Sequence, residues 1–175
     1  MIEVRAIDRS QEHAGVAAID TAFETSTIYE LAIESTRLVL REMALATPHV
    51  KRYPIAEVFE PWSSWEHGFV ACDGETICGF AAVEYVPWHR RLVLWHLYVD
   101  RARRREGIGR ALLEHVEAHG RACGATRVWL ETSTVNVPGI VAYARLGYTL
   151  CGVDAHYYEN TPVAHEAAVY LSKPL

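Results

Sequence analysis

The sequence predicts an α/β (α+β) fold in which helices pack on both faces of a mixed central sheet. Apolar runs typical of strands are interrupted by two stretches of helical periodicity, at residues 108–122 and 138–146, each followed by a glycine suited to a helix C-cap. Hydrophobic residues make up 50% of the 175 positions, which is enough for one sizeable core. We therefore expect residues 1–175 to form a single domain.

The first third of the chain has the weakest pattern. Val4 to Ile7 favours an edge strand, and Gln11 to Phe23 favours a helix because apolar residues recur there at helical spacing. Leu38 to Leu40 indicates a short strand, and residues 48–61 have an irregular pattern. The role of residues 24–66 stays open at this point.

From residue 68 onward the expected boundaries are sharper. Residues 68–72 and 76–86 predict a hairpin around Asp73-Gly74, since this dipeptide supplies the positive φ of a tight turn. A turn at residues 87–90 then leads into an apolar central strand at residues 92–99. Three further strands are expected, at residues 126–132, 149–157 and 166–171.

The composition argues against several classes of function. The net charge is −5, from 17 basic and 22 acidic residues, which disfavours a nucleic-acid partner. No apolar run reaches the ~18 residues of a membrane span, and the charged N-terminus lacks a signal-peptide core, so we expect a cytoplasmic protein without a membrane partner. The 4 cysteines form no C-x-x-C pair and the 9 histidines are scattered, so we expect no metal site.

The sharpest local feature is the segment that joins the central strand to the long helix, residues 104–110 (the 104–110 segment). A helix N-terminus presents unpaired backbone N–H groups and favours an anion. Gly107 and Gly109 allow close approach of a phosphate, and the neighbouring arginines can pair with its oxygens. The segment is neither a Walker loop nor a dinucleotide fingerprint. It predicts a phosphate or pyrophosphate site, with an ordinary strand–loop–helix joint as the structural alternative.

Two spaced motifs make this region similar to the GNAT family of N-acetyltransferases. R-x-x-G-x-G at residues 104–109 resembles the R/Q-x-x-G-x-G/A signature of that family, and residues 97–100 resemble the end of its fourth strand. N-x6-Y-x3-G-Y at residues 136–148 resembles its second motif. The resemblance covers about residues 68–171 and implies a sheet splayed between the strands at 92–99 and 126–132.

The resemblance implies acetyl-coenzyme A as cosubstrate and no metal. The pantetheine arm would bond to the backbone of Leu97 and Val99, and one N–H near Leu97 would polarise the thioester carbonyl. The implied cofactor contacts lie in the strand end, the 104–110 segment and the second motif. They are Leu97, Tyr98, Val99, Arg104, Arg105, Glu106, Gly107, Ile108, Gly109, Arg110, Asn136 and Tyr143.

Acetyl transfer to an amine needs two proton steps. An aliphatic amine is mostly ammonium at neutral pH and must lose a proton before it attacks, while the leaving thiolate gains one. The resemblance implies Tyr143 as the general acid, with a packed helix tyrosine as the alternative. Glu131, Glu84 and His96 are the candidate bases, and a relaying water is a fourth option. Asn136 either contacts the cofactor arm or caps the helix that follows.

A narrower resemblance concerns the antibiotic-acetylating branch that contains streptothricin acetyltransferases. L-E-T at residues 130–132 and G-x-D-x3-Y at residues 152–158 are similar to that branch, whereas His96 stands where its members carry an acid. The branch implies a small cationic amine as substrate, with streptothricin as one candidate. The candidate acceptor contacts are Trp88, Asp154 and Tyr158.

Two other functions stay open. A protein or peptide N-acetyltransferase would need an open groove in place of the aromatic enclosure that Trp62, Trp65, Trp88 and Trp95 suggest. A catalytically silent domain that only senses coenzyme A would have no need of the acid–base group Tyr143. Pairing of the late strands across a homodimer is a further option.

Overall fold

The computed structural model describes all residues 1–175 and confirms the predicted fold class. The strands are β1 (Ile2–Ala6), β2 (Phe23–Glu34), β3 (Arg37–Lys51), β4 (His67–Asp73), β5 (Thr76–Val86), β6 (Arg91–Val99), β7 (Arg127–Ser133), β8 (Thr149–Asp154) and β9 (Ala168–Pro174). The helices are α1 (His13–Ala17), α2 (Ile108–Ala122) and α3 (Val137–Arg145). Seven strands form a mixed sheet in the order β1-β4-β5-β6-β7-β9-β8, and β2 pairs with β3 in a two-stranded sheet.

The chain divides into two compact units. The first comprises Met1–Phe23, Arg52–Val128 and Pro174–Leu175, and it contains the 104–110 segment. The second comprises Glu24–Lys51 and Trp129–Lys173, and it contains the second motif. The assignment of residues 1–175 to a single domain stays a prediction.

Two helices cover opposite faces of β5 in the first unit. Gly79 lies under α2, where an added Cβ would meet the Cγ2 atom of Ile108 at 2.9 Å. The next residue, Phe80, is buried in one cluster with Val16 and Ile19 from the α1 region. Because successive strand residues point to opposite faces, α1 and α2 lie on different sides of this strand. The prediction of helices on both faces is confirmed here.

The helix predicted over residues 11–23 is wrong in its length, because α1 ends at Ala17. Asp20 draws the backbone out of the helix: its carboxylate accepts the N–H of Ala22 at 3.0 Å, and its own N–H donates to Asp100 at 2.9 Å. Such side-chain bonds compete with the helical ladder. The apolar residues behind the prediction are nevertheless buried: Val16, Ile19, Ala22 and Phe23.

Residues 24–66 contain far more strand than the sequence indicates. The short strand expected at residues 38–40 is part of β3, which also includes Pro48, so the irregular stretch begins only after Lys51. Ile33 and Leu38 are exposed, so the β2–β3 hairpin lacks the clean apolar alternation that marks a half-buried strand.

The later elements lie close to their expected places. Gly74 (φ 59°) forms the turn between β4 and β5, and Gly124 (φ 85°) and Gly147 (φ 90°) follow α2 and α3 in left-handed conformations. β8 ends at Asp154, short of the expected strand, because this carboxylate accepts the N–H of His156 at 2.8 Å and turns the chain. No helix is long and apolar enough to cross a membrane.

Candidate active site

A β-bulge interrupts β6 close to the residues expected to contact the cofactor. Ala82 of β5 pairs with His96, whereas the next residue, Val83, pairs with Leu94. Trp95 is therefore an extra residue in β6 without a cross-strand partner in β5. A bulge bends its strand and removes local backbone groups from the ladder, so it is one source of free donors and acceptors. The splay between β6 and β7 stays a prediction.

His96 points into a largely buried environment. The Oγ of Ser63 lies 3.2 Å from its Nε2, and the hydroxyl of Tyr98 lies 3.5 Å from its Nδ1. Burial lowers the pKa of His96 to about 4, because the protein interior disfavours the charged imidazolium. The ring is neutral near pH 7, but its low proton affinity makes it a weak base.

This buried histidine predicts an acid-sensitive stability. Its pKa is 6.5 in the unfolded chain and about 4 in the folded chain, so the unfolded chain binds more protons between these values. The contribution of His96 to the free energy of unfolding is fully present above about pH 6.5 and decreases by ~3 kcal/mol as the pH falls towards 4. His96→Gln does not titrate, so its free energy of unfolding should fall less between about pH 7 and pH 4. If urea denaturation shows that the free energy of unfolding falls equally in the wild type and in His96→Gln, this assignment is contradicted.

Glu84 is half-buried in β5 and lies beside the bulge. Its carboxylate accepts a hydrogen bond of 2.8 Å from the indole Nε1 of Trp95. One of its oxygens is thus occupied by a neighbour in the same unit. The structure gives this candidate base a positioning contact with the bulged residue.

The N-terminus of α2 presents an open backbone surface. Arg105 (φ 69°) and Gly107 (φ 85°) are both left-handed, and Gly107 is the N-cap without any side-chain cap. A Cβ added at Gly107 would meet nothing within 4 Å, and one added at Gly109 would meet only Val99, at 3.6 Å. No side chain therefore crowds the backbone at these two positions, which leaves room for the predicted phosphate site at the N-terminus of α2.

The carboxylate of Glu106 is engaged by a neighbouring arginine. Arg103 donates from its Nε to Glu106 at 2.9 Å and from its Nη2 to Asp73 at 3.1 Å. These contacts balance the charge of the Arg103 guanidinium, and the Glu106 carboxylate points towards it. Among the cofactor contacts predicted from the resemblance, Glu106 is therefore suited to act through its backbone.

Arg104 braces the 104–110 segment against the end of β6. Its Nε donates to the carbonyl oxygen of Val99 at 3.1 Å, and burial lowers the pKa of its guanidinium. A carbonyl oxygen has two lone pairs, so Val99 keeps the capacity for the predicted pantetheine bond. Arg105 and Arg110 take part in no salt bridge, which leaves their charges for an anion.

Two predicted residues meet in the second unit. The hydroxyl of Tyr158 donates a hydrogen bond to Oε1 of Glu131 on β7. Burial raises the pKa of Glu131, while the bond from Tyr158 and the charge of Lys51 oppose this effect. A carboxylate with a raised pKa binds a proton more readily near neutral pH. Asp154 is half-buried and uses one oxygen in its turn with His156.

A buried ion pair lies close to this site and was missed by sequence reasoning. The ammonium of Lys51 donates to Glu166 and also lies 3.4 Å from the hydroxyl of Ser133, which follows Glu131 on β7. The side chains of Lys51 and Glu166 are only 15% and 1% exposed. They are distant in sequence, so no local motif joins them. The one available signal was a charged Glu166 beside an apolar run.

The second motif has a structural role at its first residue. The Oδ1 of Asn136 accepts the N–H of Gly139 at 3.1 Å, and its Nδ2 donates to the hydroxyl of Thr132 at 2.9 Å. The side chain thus caps α3, which was the alternative to a cofactor contact. Tyr143 is half-buried on α3, and its ring packs edge-on against Tyr148 with centroids 5.5 Å apart.

The expected aromatic enclosure is wrong. Trp65 is only 2% exposed and belongs to the core, whereas Trp88 is 84% exposed and stacks on His89 at 4.0 Å. Trp62 and Trp95 are also exposed. These side chains therefore do not line one closed pocket. No group of three or more His, Cys, Asp or Glu side chains is placed to hold a metal ion.

Known proteins share both the sequence and the fold. Residues 25–148 match the model of the acetyltransferase (GNAT) family. The chain is 35% identical over 178 residues to streptothricin acetyltransferase of Streptomyces lavendulae, covering 95% of this chain and 92% of that protein. The crystal structure of nourseothricin acetyltransferase has a TM-score of 0.89 and 33% identity, covering 99% and 98% of the two chains.

A third relative supports the fold alone. A candidate streptothricin acetyltransferase from Bacillus anthracis str. Ames, solved in complex with acetyl coenzyme A, superposes with a TM-score of 0.83 at 17% identity and covers 100% of both chains. The family match spans most of the present chain, and the Streptomyces lavendulae protein aligns with nearly all of it. The chain therefore belongs to the GNAT family and is an acetyltransferase that uses acetyl-coenzyme A.

Proposed function

We propose that this enzyme moves the acetyl group of acetyl-coenzyme A directly onto a primary amine of a small cationic molecule, with streptothricin as the first candidate. The observation that carries the proposal is the half-buried Glu131 carboxylate, whose pKa is raised and whose orientation is held by Tyr158. The likeness to streptothricin acetyltransferase along nearly the whole chain supports this choice of substrate.

In this proposal the N-terminus of α2 holds the pyrophosphate of the cosubstrate. The backbone at Gly107 and Gly109 is not crowded by side chains, and Arg105 and Arg110 add positive charge without a competing salt bridge. A helix N-terminus with free amides is a ready anion site. The backbone of Leu97 would bind the pantetheine arm next to the bulge in β6.

Glu131 is the proposed base. The acceptor amine is mostly ammonium, with a pKa near ~10.4, so it gives one proton to the ionised carboxylate before it attacks. The new C–N bond forms as the C–S bond breaks, and the thiolate takes a proton from the hydroxyl of Tyr143. The acetylated nitrogen then loses its second proton, which restores the Tyr143 hydroxyl, and Glu131 releases its proton to solvent. Of the two rivals, His96 is disfavoured by its depressed pKa, and Glu84 is distinguished from Glu131 by the variants described below.

Removal of the Tyr143 hydroxyl should slow turnover. We expect Tyr143→Phe to lower kcat by roughly 100-fold, the order of one general acid–base contribution. The affinity for acetyl-coenzyme A should stay nearly unchanged, because the ring remains on α3. Tyr148→Phe is the matched control, since it removes the hydroxyl of the neighbouring ring, and it should turn over like the wild type. Unchanged kcat in Tyr143→Phe would remove Tyr143 from the acid role.

A thiol-release assay tests the proposed function. Purified protein and acetyl-coenzyme A are mixed with streptothricin, an aminoglycoside, spermidine, an amino acid or a peptide, and free coenzyme A thiol is followed. We expect the fastest release with streptothricin or another small polyamine. Release with the peptide alone would favour a protein N-acetyltransferase. Binding of acetyl-coenzyme A without release on any amine would favour a sensor.

A further inference from the structure

The ion pair of Lys51 and Glu166 lies beside the end of the strand that carries Glu131. The ammonium of Lys51, at the end of β3, donates to Glu166 and lies 3.4 Å from the hydroxyl of Ser133 on β7. Glu131 and Ser133 are two residues apart on this strand, so their side chains lie on the same face. Because two residues span about 7 Å along a strand, the ammonium lies near the Glu131 carboxylate on that face.

Backbone bonds fix the position of Glu166 next to the end of β7. Its own N–H donates to the carbonyl oxygen of Val163 at 2.8 Å. The N–H of Ala167 donates to the hydroxyl of Thr134 at 3.1 Å, and the N–H of Thr134 donates to the carbonyl oxygen of Ala167 at 2.9 Å. The side chains of Lys51 and Glu166 are 15% and 1% exposed, so water and salt screen their charges little. The pair is therefore a fixed arrangement of two opposite charges beside Glu131.

The two charges of the pair act on Glu131 with opposite sign. Burial raises the pKa of the Glu131 carboxyl, the hydrogen bond from Tyr158 and the charge of Lys51 lower this pKa, and the charge of Glu166 raises it. Of the two charges, that of Lys51 has the larger effect. The pair as a whole therefore favours the ionised carboxylate, which is the form that accepts a proton.

The other titratable neighbours of Glu131 stay neutral near pH 7. Burial raises the pKa of Tyr170 on β9 to about 12, and burial also raises the pKa of Tyr157. The hydroxyl of Tyr158 donates its hydrogen bond to Glu131. Asp154, at the end of β8, acts on Tyr157 and Tyr170 and is not among the groups that shift the pKa of Glu131. The charges that act on Glu131 are thus those of the ion pair.

We infer that Lys51 is a positioning residue whose ammonium keeps the Glu131 carboxylate ionised, and that Glu166 limits this effect. Lys51 acts through Glu131 and is not itself a catalytic residue. The inference rests on the proposed function, in which Glu131 is the base. Without Lys51, a larger fraction of Glu131 is protonated at neutral pH and fewer enzyme molecules have the base ready.

A carboxyl ¹³C NMR titration of the full chain without acetyl-coenzyme A tests this inference, with Glu131→Gln identifying the Glu131 resonance. The titration midpoint of Glu131 should rise by about 0.5–1 pH unit in Lys51→Met and fall by up to about 0.5–1 pH unit in Glu166→Gln. The pH at which kcat/KM falls on the acidic side should move in the same directions. Lys173→Met is the matched control. It removes an ammonium that lies 5.7 Å from the ring centroid of Tyr148, and it should leave midpoint and rate unchanged.

The double variant Lys51→Met/Glu166→Gln guards against a loss of folding. Each single variant removes the counter-charge of a buried group, so thermal unfolding accompanies the titration. The double variant removes both charges together. Its midpoint should lie above that of the wild type, because the larger of the two effects is lost. If a single variant does not fold, the double variant decides, and a wild-type midpoint would then overturn the inference.

Wild-type midpoints in both folded single variants, or shifts of the same sign, would also overturn the inference. Such a result would leave the pair as a purely structural contact between β3 and the chain before β9. Unmoved midpoints together with loss of turnover in Glu131→Gln would remove the inference and keep the proposed function. Opposite midpoint shifts without acetylation of any amine would support the inference and contradict the proposed function.

Discussion

Gly107→Glu is expected to abolish the binding of acetyl-coenzyme A. Gly107 has a φ of 85°, which strains any side chain, and the space around it is open. A carboxylate placed there would lie close to the bound pyrophosphate. Like charges about 4–5 Å apart at an effective dielectric of ~20 repel by ~3–4 kcal/mol, so affinity should fall by roughly 100- to 1000-fold. Isothermal titration calorimetry measures the loss directly.

Gly74→Glu is the matched control for this variant. Gly74 also has a left-handed φ, 59°, with nothing within 4 Å of an added Cβ, but it lies in the β4–β5 turn. The same substitution there imposes a similar backbone strain without approaching the N-terminus of α2. It should bind acetyl-coenzyme A like the wild type. Normal binding by a folded Gly107→Glu protein would refute the placement of the pyrophosphate.

Glu131→Gln is expected to lower kcat by about 100- to 1000-fold, the range of a lost general base. Glutamine keeps an oxygen that can accept from Tyr158, so the local structure should be preserved while proton acceptance is lost. In the wild type, kcat/KM should fall on the acidic side as the pH decreases through the raised pKa of Glu131, because only the ionised carboxylate accepts a proton. The variant should lack this acidic limb.

Glu84→Gln is the control that distinguishes loss of the general base Glu131 from the effect of removing any strand carboxylate. It removes the other strand carboxylate that sequence reasoning proposed as a base, and its partner Trp95 can still donate to the new amide oxygen. We expect the decrease of kcat/KM at acidic pH in Glu84→Gln to match that of the wild type. A wild-type rate and pH profile in Glu131→Gln, or loss of the limb in Glu84→Gln instead, would reassign the base.

The segment from residue 68 to residue 148 could be predicted closely because its signals are local. Asp73-Gly74 marks a turn, and Gly124 and Gly147 mark helix ends, each through a backbone conformation that few other residues adopt. The 104–110 segment was recognisable for a similar reason, since a helix N-terminus with glycines favours the binding of an anion such as phosphate. The uncrowded backbone at Gly107 agrees with that expectation.

The remaining features depend on contacts between residues far apart in sequence. The β2–β3 hairpin exposes apolar side chains such as Ile33, so its strands lack the alternation that reveals a half-buried strand. The pair of Lys51 and Glu166 forms only once β3 lies beside the chain before β9. The hydrogen bond from Tyr158 to Glu131 likewise joins residues from two separate motifs, and neither motif predicts the contact.

A crystal structure of this protein with bound coenzyme A is the most direct test of the central claim. We predict that both phosphoryl groups lie on the backbone N–H groups at Gly107 and Gly109, with Arg105 or Arg110 contacting their oxygens. Coenzyme A bound elsewhere, with the N-terminus of α2 empty, would contradict this placement of the pyrophosphate.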